Sequence, residues 1–501
     1  MPSPHVNNCF ARGGRCANNH LMSNAGFAAI VLAAGQGTRM KSALPKVLHS
    51  VCGVPMVAHV VMAAQRAGAS RVVVVVGHGR EAVERDLGRR FGPDVTTAVQ
   101  TEQKGTGHAA LCAMPALDGH EGTVVVLAGD TPLLPSDAIV ALVEARGERR
   151  LAMLTSTLDD ATGYGRVLRD ASGAAVGVRE HKDASESERV IREWNTGVYA
   201  IDASFLRRTL PTLGANNAQG ELYLTDLVER ASREGGAATA GWRADDVAGV
   251  NDRAQLAELE RAMRLRIATA FARAGVTIRD PHTAYVDATV TIGADATIEP
   301  NVHLRGATKI GAGVRVDTGC VLTDVVVHER AVLKPYTIAT ESSIGAAAQI
   351  GPFSHLRPES VLAEDVHVGN FVETKKTRIG KGSKANHLAY LGDGLVGEGV
   401  NVGAGTIFCN YDGFAKHQTV LEDGVFIGSD TQLVAPVRVG KNATVAAGST
   451  VTMDVPADAL AISRTKQANK DGVAAKLRAR MKASADAAKQ AQKRPPTERS
   501  G

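Results

Sequence analysis

Seven aliphatic residues, Val286, Ile292, Ile298, Leu304, Ile310, Val316 and Leu322, stand six positions apart without a break. A helix repeats its apolar face about every 3.6 residues and a single flat strand about every 2, so neither explains a period of six. A chain that turns a corner every six residues does. Three such sides close a triangular coil, each aliphatic points into the prism, and successive coils stack as parallel strands. The rhythm resumes at Ile427, Leu433, Val439, Val445 and Val451. Glycine often follows the aliphatic, as in Ile292-Gly293, Ile310-Gly311, Ile379-Gly380 and Val439-Gly440, where a small residue is expected to permit the corner. The pattern specifies a parallel β-helix over residues 276–465. Its interruptions at 323–343 and 407–426 are expected to be irregular coils or protruding loops.

The rest of the chain obeys a different rhythm. Its 501 residues exceed one ordinary domain. Over 26–250, short runs rich in Val, Ile and Leu ("FAAIVLAAG", "RVVVVVGHG", "TVVVLAGD") alternate with helical patterns such as "MVAHVVMAAQRAG". Buried parallel strands separated by helices make a Rossmann-like α/β domain, with ligands at the carboxyl ends of the strands. Residues 251–275 read as one long helix, with an apolar stripe of Leu256, Leu259, Met263, Ile267 and Phe271. That helix is expected to link the two domains. Residues 1–25 are expected to form a disordered extension without a signal-peptide core. Residues 466–501 are expected to form a basic, partly disordered tail, a partial helix that is disordered at its end.

The net charge of +5 misleads, because the tail carries ten Lys/Arg against three Asp/Glu and leaves the body close to neutral. Nucleic-acid binding is therefore not expected. Nor is membrane integration, since no run of about 18 apolar residues occurs. Six cysteines without a CxxC pair fit a reduced, cytoplasmic protein.

The chemistry begins at "IVLAAGQGTRMKSALPKVL", residues 30–48. A strand ends in Ala33-Ala34-Gly35, then Gly37, then the cations Arg39 and Lys46. Small residues let backbone N–H groups approach a phosphate, and two cations neutralise the charge of a triphosphate. The sequence is neither a P-loop nor G-x-G-x-x-G, because position 40 is Met.

With "QTEQKGTGHA", "AGDTPLL", "TGYGRV", "EHKDA", "NTGVY", "GELYLTD" and "GVNDR" following in order, the chain resembles the sugar-1-phosphate nucleotidylyltransferases. Over residues 26–467 it resembles the bacterial bifunctional N-acetylglucosamine-1-phosphate uridylyltransferase/glucosamine-1-phosphate N-acetyltransferases. In that family the hexapeptide prism is left-handed. The resemblance implies that Ala33, Ala34, Gly35, Gly37, Arg39 and Lys46 hold UTP, and that Gln100, Gly105 and Thr106 contact uracil. Asp130 and Asn251 are implied as ligands of Mg²⁺, an oxygen pair suited to that ion. On its own, Asp130 before Thr131-Pro132 also fits a helix N-cap. Gly165, Glu180 and Asn195 are implied to hold the sugar hydroxyls and acetamide. Where the family has "YGD" this chain has Ala128-Gly129-Asp130, so position 128 contributes backbone only.

In the second half the motifs are "LRPES", "ETKKTRIGKGSKANHLAYLGD", "GAGTIFCNYDG" and "IGSDTQLVAP". They imply His387 as general base, since an amine nucleophile must lose a proton and an imidazole titrating at about 6.5 is suited to take it. Arg357 and Lys375 are implied to pair with the sugar phosphate, and Tyr390, Asn401 and Asn410 to fix the sugar. Ala404, Asn410, Tyr411, Ser429, Ala447 and Arg464 are implied to line an acetyl-CoA groove. Asn386 stands where the family commonly has Gly, which puts backbone freedom beside His387 in question.

The implied function is acetyl-CoA-dependent acetylation of glucosamine-1-phosphate. Uridylyl transfer from UTP to N-acetylglucosamine-1-phosphate follows, releasing pyrophosphate and supplying UDP-N-acetylglucosamine for cell-envelope polymers. A homotrimer is implied. Two alternatives stand beside this: a single-activity nucleotidylyltransferase whose β-helix only oligomerises or regulates, and a non-catalytic nucleotide-sugar scaffold.

Overall fold

A computed structural model describes residues 26–492. The expectations for residues 1–25 and for the end of the tail, 493–501, lie outside the described residues. Among the described residues no helix is long and apolar enough to cross a membrane.

The first half is built on one sheet. Its main path runs Ala237–Gly241, Leu151–Thr157, Glu193–Asp202, Thr123–Ala128, Ala28–Ala33, Arg71–Val76 and Val95–Val99. The three Val-rich runs read from the sequence are the parallel centre of the sheet. Each is apolar on both faces because helices cover both, with Val31, Val74 and Leu127 packed to one side and Ile30, Val73 and Val126 to the other. On this path one strand departs from the expected parallel rule: Glu193–Asp202 runs antiparallel to both neighbours, and off the path Arg166–Arg169 pairs antiparallel with it and with Ala175–Arg179. The register of Glu193–Asp202 shifts between Asn195 and Tyr199, and this bulge carries the "NTGVY" motif.

The second half is a three-sided prism, a left-handed parallel β-helix of three stacked sheets. Each aliphatic pairs with its counterpart one coil away: Ile298 with Val316, Leu304 with Leu322, Ile310 with Val327. All six are buried.

Two expectations need correction. The stretch 323–343 is neither irregular nor a loop. Leu322 is followed by Val327 five positions on instead of six, and the strands Val326–Val327, Val332–Leu333 and Ile338–Thr340 continue all three sheets. Dropping one residue at a corner changes the phase of the repeat and leaves the prism whole. The glycines after the aliphatics also act differently from the expectation. The left-handed corner positions are occupied mostly by larger residues such as Asp295, Asn301 and Phe353. Gly311 instead faces the next coil, where a Cβ would lie 2.8 Å from the Glu329 nitrogen. Its smallness lets one coil approach the next. Of the second interruption, the part around 410–418 does protrude, with a single bridge between Tyr411 and Lys416.

The linking helix is Arg253–Arg273, capped by Asp252, whose carboxylate accepts from the Ala254 and Gln255 amides at 2.9 and 3.0 Å. Leu259, Met263 and Ile267 join the core of the β-helix, with Leu256 and Phe271 packed against it. Val473–Gln492 forms a further helix whose described side chains are exposed.

Candidate active sites

The first site lies where the sheet order places the ends of Ala28–Ala33 and Thr123–Ala128 side by side. Lys46 Nζ lies 2.5 Å from Asp130 Oδ2, and Arg39 Nη2 donates to Asn251 Oδ1 at 2.8 Å. Two cation–oxygen pairs, their partners 84 and 212 residues apart in sequence, thus form at one place. Gly37 is left-handed (φ 62°) and packs against the Lys46 side chain, so the turn and the cation are shaped together. Asp130 caps no helix; its carbonyl instead accepts from the Val250 amide at 3.0 Å, which brings Asn251 alongside.

A cavity of about 380 Å³ opens from these pairs. Asp130, Asn251, Gly165, Glu180 and Asn195 all line it, as does Ala128, whose carbonyl accepts the Thr131 hydroxyl. Burial pushes the Glu180 carboxyl above the ordinary carboxylate range, against the pull of the Thr225 hydroxyl. Asn195 donates to the Tyr199 hydroxyl at 2.5 Å, and its N–H bonds the Gly165 carbonyl at 2.9 Å. Sequence reasoning passed over Tyr164, Trp194 and Gln255, which also line the cavity. Tyr164 and Trp194 meet at 4.2 Å between ring centroids and wall one side of it.

The residues expected at uracil follow the strand Val95–Val99, which pairs with Arg71–Val76. Gln103, quoted within a motif but given no role, donates to the Ala34 carbonyl at 2.8 Å. The Gln100 amide group is spent on the Gly105 carbonyl (3.2 Å) and on His108 (3.1 Å), so its oxygen is the atom left for a ligand. The Thr106 hydroxyl accepts the Leu224 amide at 3.1 Å and keeps its own hydrogen to donate. Gly105 is left-handed (φ 96°), and a Cβ there would sit 2.7 Å from the Leu222 carbonyl oxygen.

The second site follows one corner of the prism. The Leu388 amide bonds the Asn370 carbonyl, and the Gly405 amide bonds the Leu388 carbonyl. Further on, Asp430 bonds Ala404, Gly448 bonds Ser429, and the Arg464 guanidinium reaches the Ala447 carbonyl at 2.5 Å. His387, Ala404, Ser429, Ala447 and Arg464 therefore follow one corner through successive coils. The His387 ring is exposed and makes no hydrogen bond among the described residues. Asn386 lies inside the strand Lys384–His387, so no glycine freedom is used there.

On the sheet that leaves this corner, register stacks Glu373 on His355, Tyr390 on Glu373 and Gly392 on Lys375. Arg357 pairs with Glu373 at 2.8 Å. Asp393, quoted in a motif but given no role, accepts from Asn410 at 2.5 Å, and Asn410 also approaches the Tyr390 hydroxyl at 3.4 Å. Asn401 is on the other side of the corner, in register with Lys384. The loop after Asn410 is braced by Asp412, which accepts from the Ala415 and Phe414 amides and from His417. These donors hold its carboxyl well below the usual range. Lys416 sits 4.3 Å over the Tyr411 ring.

Comparison with known proteins agrees with both halves. A family model described as a MobA-like NTP transferase domain matches residues 29–193. The GMPPB C-terminal domain matches 281–368, and the bacterial transferase hexapeptide (six repeats) matches 418–452. The chain is 58% identical to the bifunctional protein GlmU of Sorangium cellulosum, over 92% of this chain and 98% of that protein. It is 51% identical to the bifunctional protein GlmU of an Anaeromyxobacter species, over 92% and 95%. With the bifunctional protein GlmU of Pelobacter propionicus it shares 49% identity, over 89% and 97%. Relatives of this similarity along nearly their whole length, over both an NTP-transferase half and a hexapeptide half, place the chain in the family of bifunctional GlmU proteins.

Proposed function

We propose that the two reactions of this bifunctional transferase are divided between the two sites described above. The corner around His387 moves an acetyl group from acetyl-CoA to the amine of glucosamine-1-phosphate. The cavity at Asp130 joins N-acetylglucosamine-1-phosphate to UTP and releases pyrophosphate. The observation that carries the reading is the pairing of Lys46 with Asp130 and of Arg39 with Asn251 at the mouth of one cavity.

The donor set fits Mg²⁺. Asp130 and Asn251 offer hard oxygens, and both already face protein cations, so the place is built to hold positive charge. When bound there, Mg²⁺ supplies neutralisation of the triphosphate. An arriving triphosphate competes with Asp130 and Asn251 for Lys46 and Arg39, which turn to the phosphate oxygens. The sugar phosphate attacks the α-phosphorus with an oxygen that is already anionic. One P–O bond forms, the bond to the β-phosphate breaks, and pyrophosphate leaves with the electron pair. No general base is required, because the attacking phosphate oxygen already carries its charge. Gln100 and Thr106 present an acceptor and a donor to the edge of uracil. Glu180 and Asn195 hold the sugar.

At the corner, the imidazole of His387 takes a proton from the ammonium of glucosamine-1-phosphate. The freed amine attacks the thioester carbonyl, the C–S bond breaks, the imidazolium gives its proton to the departing thiolate, and the attacking nitrogen releases its second proton to solvent as it becomes an amide. Arg357 and Lys375 hold the sugar phosphate, Tyr390 and Asn401 hold the sugar from either side of the corner, and Asn410 and Tyr411 border the groove of Ala404, Ser429, Ala447 and Arg464. Chelation of divalent metal tests the division: pyrophosphate release is expected to stop while thiol release from acetyl-CoA continues.

The enzyme works as a homotrimer in the cytoplasm, where UTP and acetyl-CoA are made. The trimer is supported by an exposed aromatic ladder along the His387 corner. Tyr336, Phe353 and Phe371 stack at 5.2 and 5.7 Å and are each about half exposed or more. A Phe353→Asp/Phe371→Asp variant is expected to shift the light-scattering mass from trimer to monomer and to lower thiol release. An unchanged mass would remove the ladder from the interface.

Glu180 gives a prediction of opposite signs. Its raised carboxyl favours folding only below the ordinary carboxylate range, and that contribution is lost as pH rises through the raised folded value. Glu180→Gln is therefore expected to raise Tm at about pH 8 and to have no such effect at about pH 4. The same change raises KM for the sugar phosphate. A variant destabilised at about pH 8 contradicts this account of the cavity.

A further inference from the structure

Three charged side chains of the helix Arg253–Arg273 reach out of it to backbone atoms of the first half. Arg253 Nε donates to the Met40 carbonyl at 3.1 Å, in the turn Thr38–Met40 that carries Arg39. Glu260 Oε2 accepts the Cys52 amide at 2.7 Å, at the tip of the hairpin that follows the turn Lys46–Leu48. Arg266 donates to the Leu133 carbonyl at 2.7 Å, in the loop that carries Asp130, and its other nitrogen pairs with Asp246 at 2.7 Å. Before the first turn, Asn251 itself is fixed, because its amide donates to Gln255 Oε1 at 2.8 Å.

We infer that this helix is the positioning element of the nucleotidyl-transfer site, with Arg253, Glu260 and Arg266 setting the mutual distances of Arg39, Lys46, Asp130 and Asn251. The inference rests on the assignment of that site given above.

The geometry favours positioning over mere support. Two of the contacts fall on the short segments that carry Arg39 and Asp130, the third falls on the hairpin directly after the Lys46 turn, and a different residue makes each. At the Arg253 end the contacts close a ring: Arg253 to Met40, Arg39 to Asn251, and Asn251 to Gln255, two residues on from Arg253 in the helix. The Cys52 turn is held from both sides, since its carbonyl also accepts the Ala288 amide of the first β-helix coil at 2.9 Å. Left-handed Cys52 (φ 46°) is thus clamped between helix and prism. In-line attack depends on such distances, and a misplacement of about 1 Å costs on the order of 100-fold.

The test uses the full-length enzyme with Arg253→Met and Glu260→Leu, which remove one donor and one acceptor, and with Arg253→Lys and Glu260→Gln, which restore them. The expected result is a 10- to 100-fold fall in kcat for pyrophosphate release. KM for UTP and for the sugar phosphate is expected to change about twofold at most, and the conservative variants to recover most of the rate. Thiol release, from coils far along the prism, stays at the parent rate in the same samples. Parent-like kcat in Arg253→Met and Glu260→Leu, beside an inactive Asp130→Ala, would overturn the inference and leave the site assignment standing. Loss of both activities together would also overturn it, because the helix would then be a general support. An active Asp130→Ala would instead remove the site assignment itself.

Discussion

Replacing His387 by alanine is expected to lower thiol release from acetyl-CoA by about 10²- to 10⁴-fold, the range that a positioned general base contributes. Pyrophosphate release by the same variant is expected to stay within about twofold of the parent. The size of the first effect follows from the substrate. An ammonium has no lone pair, and the proposed acceptor of its proton is the ring of His387, exposed at the prism corner and without a hydrogen bond among the described residues. The null effect on the other reaction follows from the scaffold, since His387 lies on the prism and Asp130 at the end of a strand of the sheet. His387→Ala is also expected to fold normally, because an exposed corner side chain without hydrogen bonds supports little of the prism. A variant with normal Tm and normal thiol release would remove His387 from the reaction.

The mirror image is Asp130→Ala. Pyrophosphate release is expected to fall by about 10²- to 10³-fold or more, the order lost when one preorganised charged group is removed from a site of developing charge. Two effects combine. The oxygen pair proposed for Mg²⁺ loses its charged member, and Lys46 loses the partner that lies 2.5 Å away at the mouth of the cavity. Thiol release is expected to be unchanged. Raising Mg²⁺ should recover only part of the rate, because Lys46 stays unanchored. Full recovery at high Mg²⁺ would reduce Asp130 to an affinity group.

The β-helix was legible because an inward aliphatic at each side is a physical requirement of a narrow prism. Ile298, Leu304 and Ile310 announce it in one-dimensional form. The coil at 323–343 was misread because Leu322 and Val327 are five apart, and a single deletion at a corner shifts the phase without changing the fold. Strand Glu193–Asp202 gave only a motif. Its bulge at Asn195–Tyr199 breaks the alternation that would have marked it, and nothing in a Val-rich neighbour tells its direction. That Arg39, Lys46, Asp130 and Asn251 share one place was suggested only by the order of motifs. Spacing alone leaves Lys46 and Asp130 84 residues apart. The contacts of Arg253, Glu260 and Arg266 left no trace at all. Apart from the Arg266–Asp246 pair, their partners are the Met40 and Leu133 carbonyls and the Cys52 amide, and such backbone atoms occur throughout any chain. Backbone-directed contacts constrain only one of the two side chains, so a single sequence hides them.

The most direct test of the two-site account uses two variants in one tube. His387→Ala and Asp130→Ala are each supplied with glucosamine-1-phosphate, acetyl-CoA, UTP and Mg²⁺, and UDP-N-acetylglucosamine is followed. Each alone is expected to make almost none: the first for lack of acetylated sugar phosphate, the second for lack of uridylyl transfer. Mixed, they are expected to make it steadily, because the second variant's product is the first variant's substrate. A mixture as inactive as its parts, with both proteins folded, would mean that the two sets of residues do not serve two separate reactions.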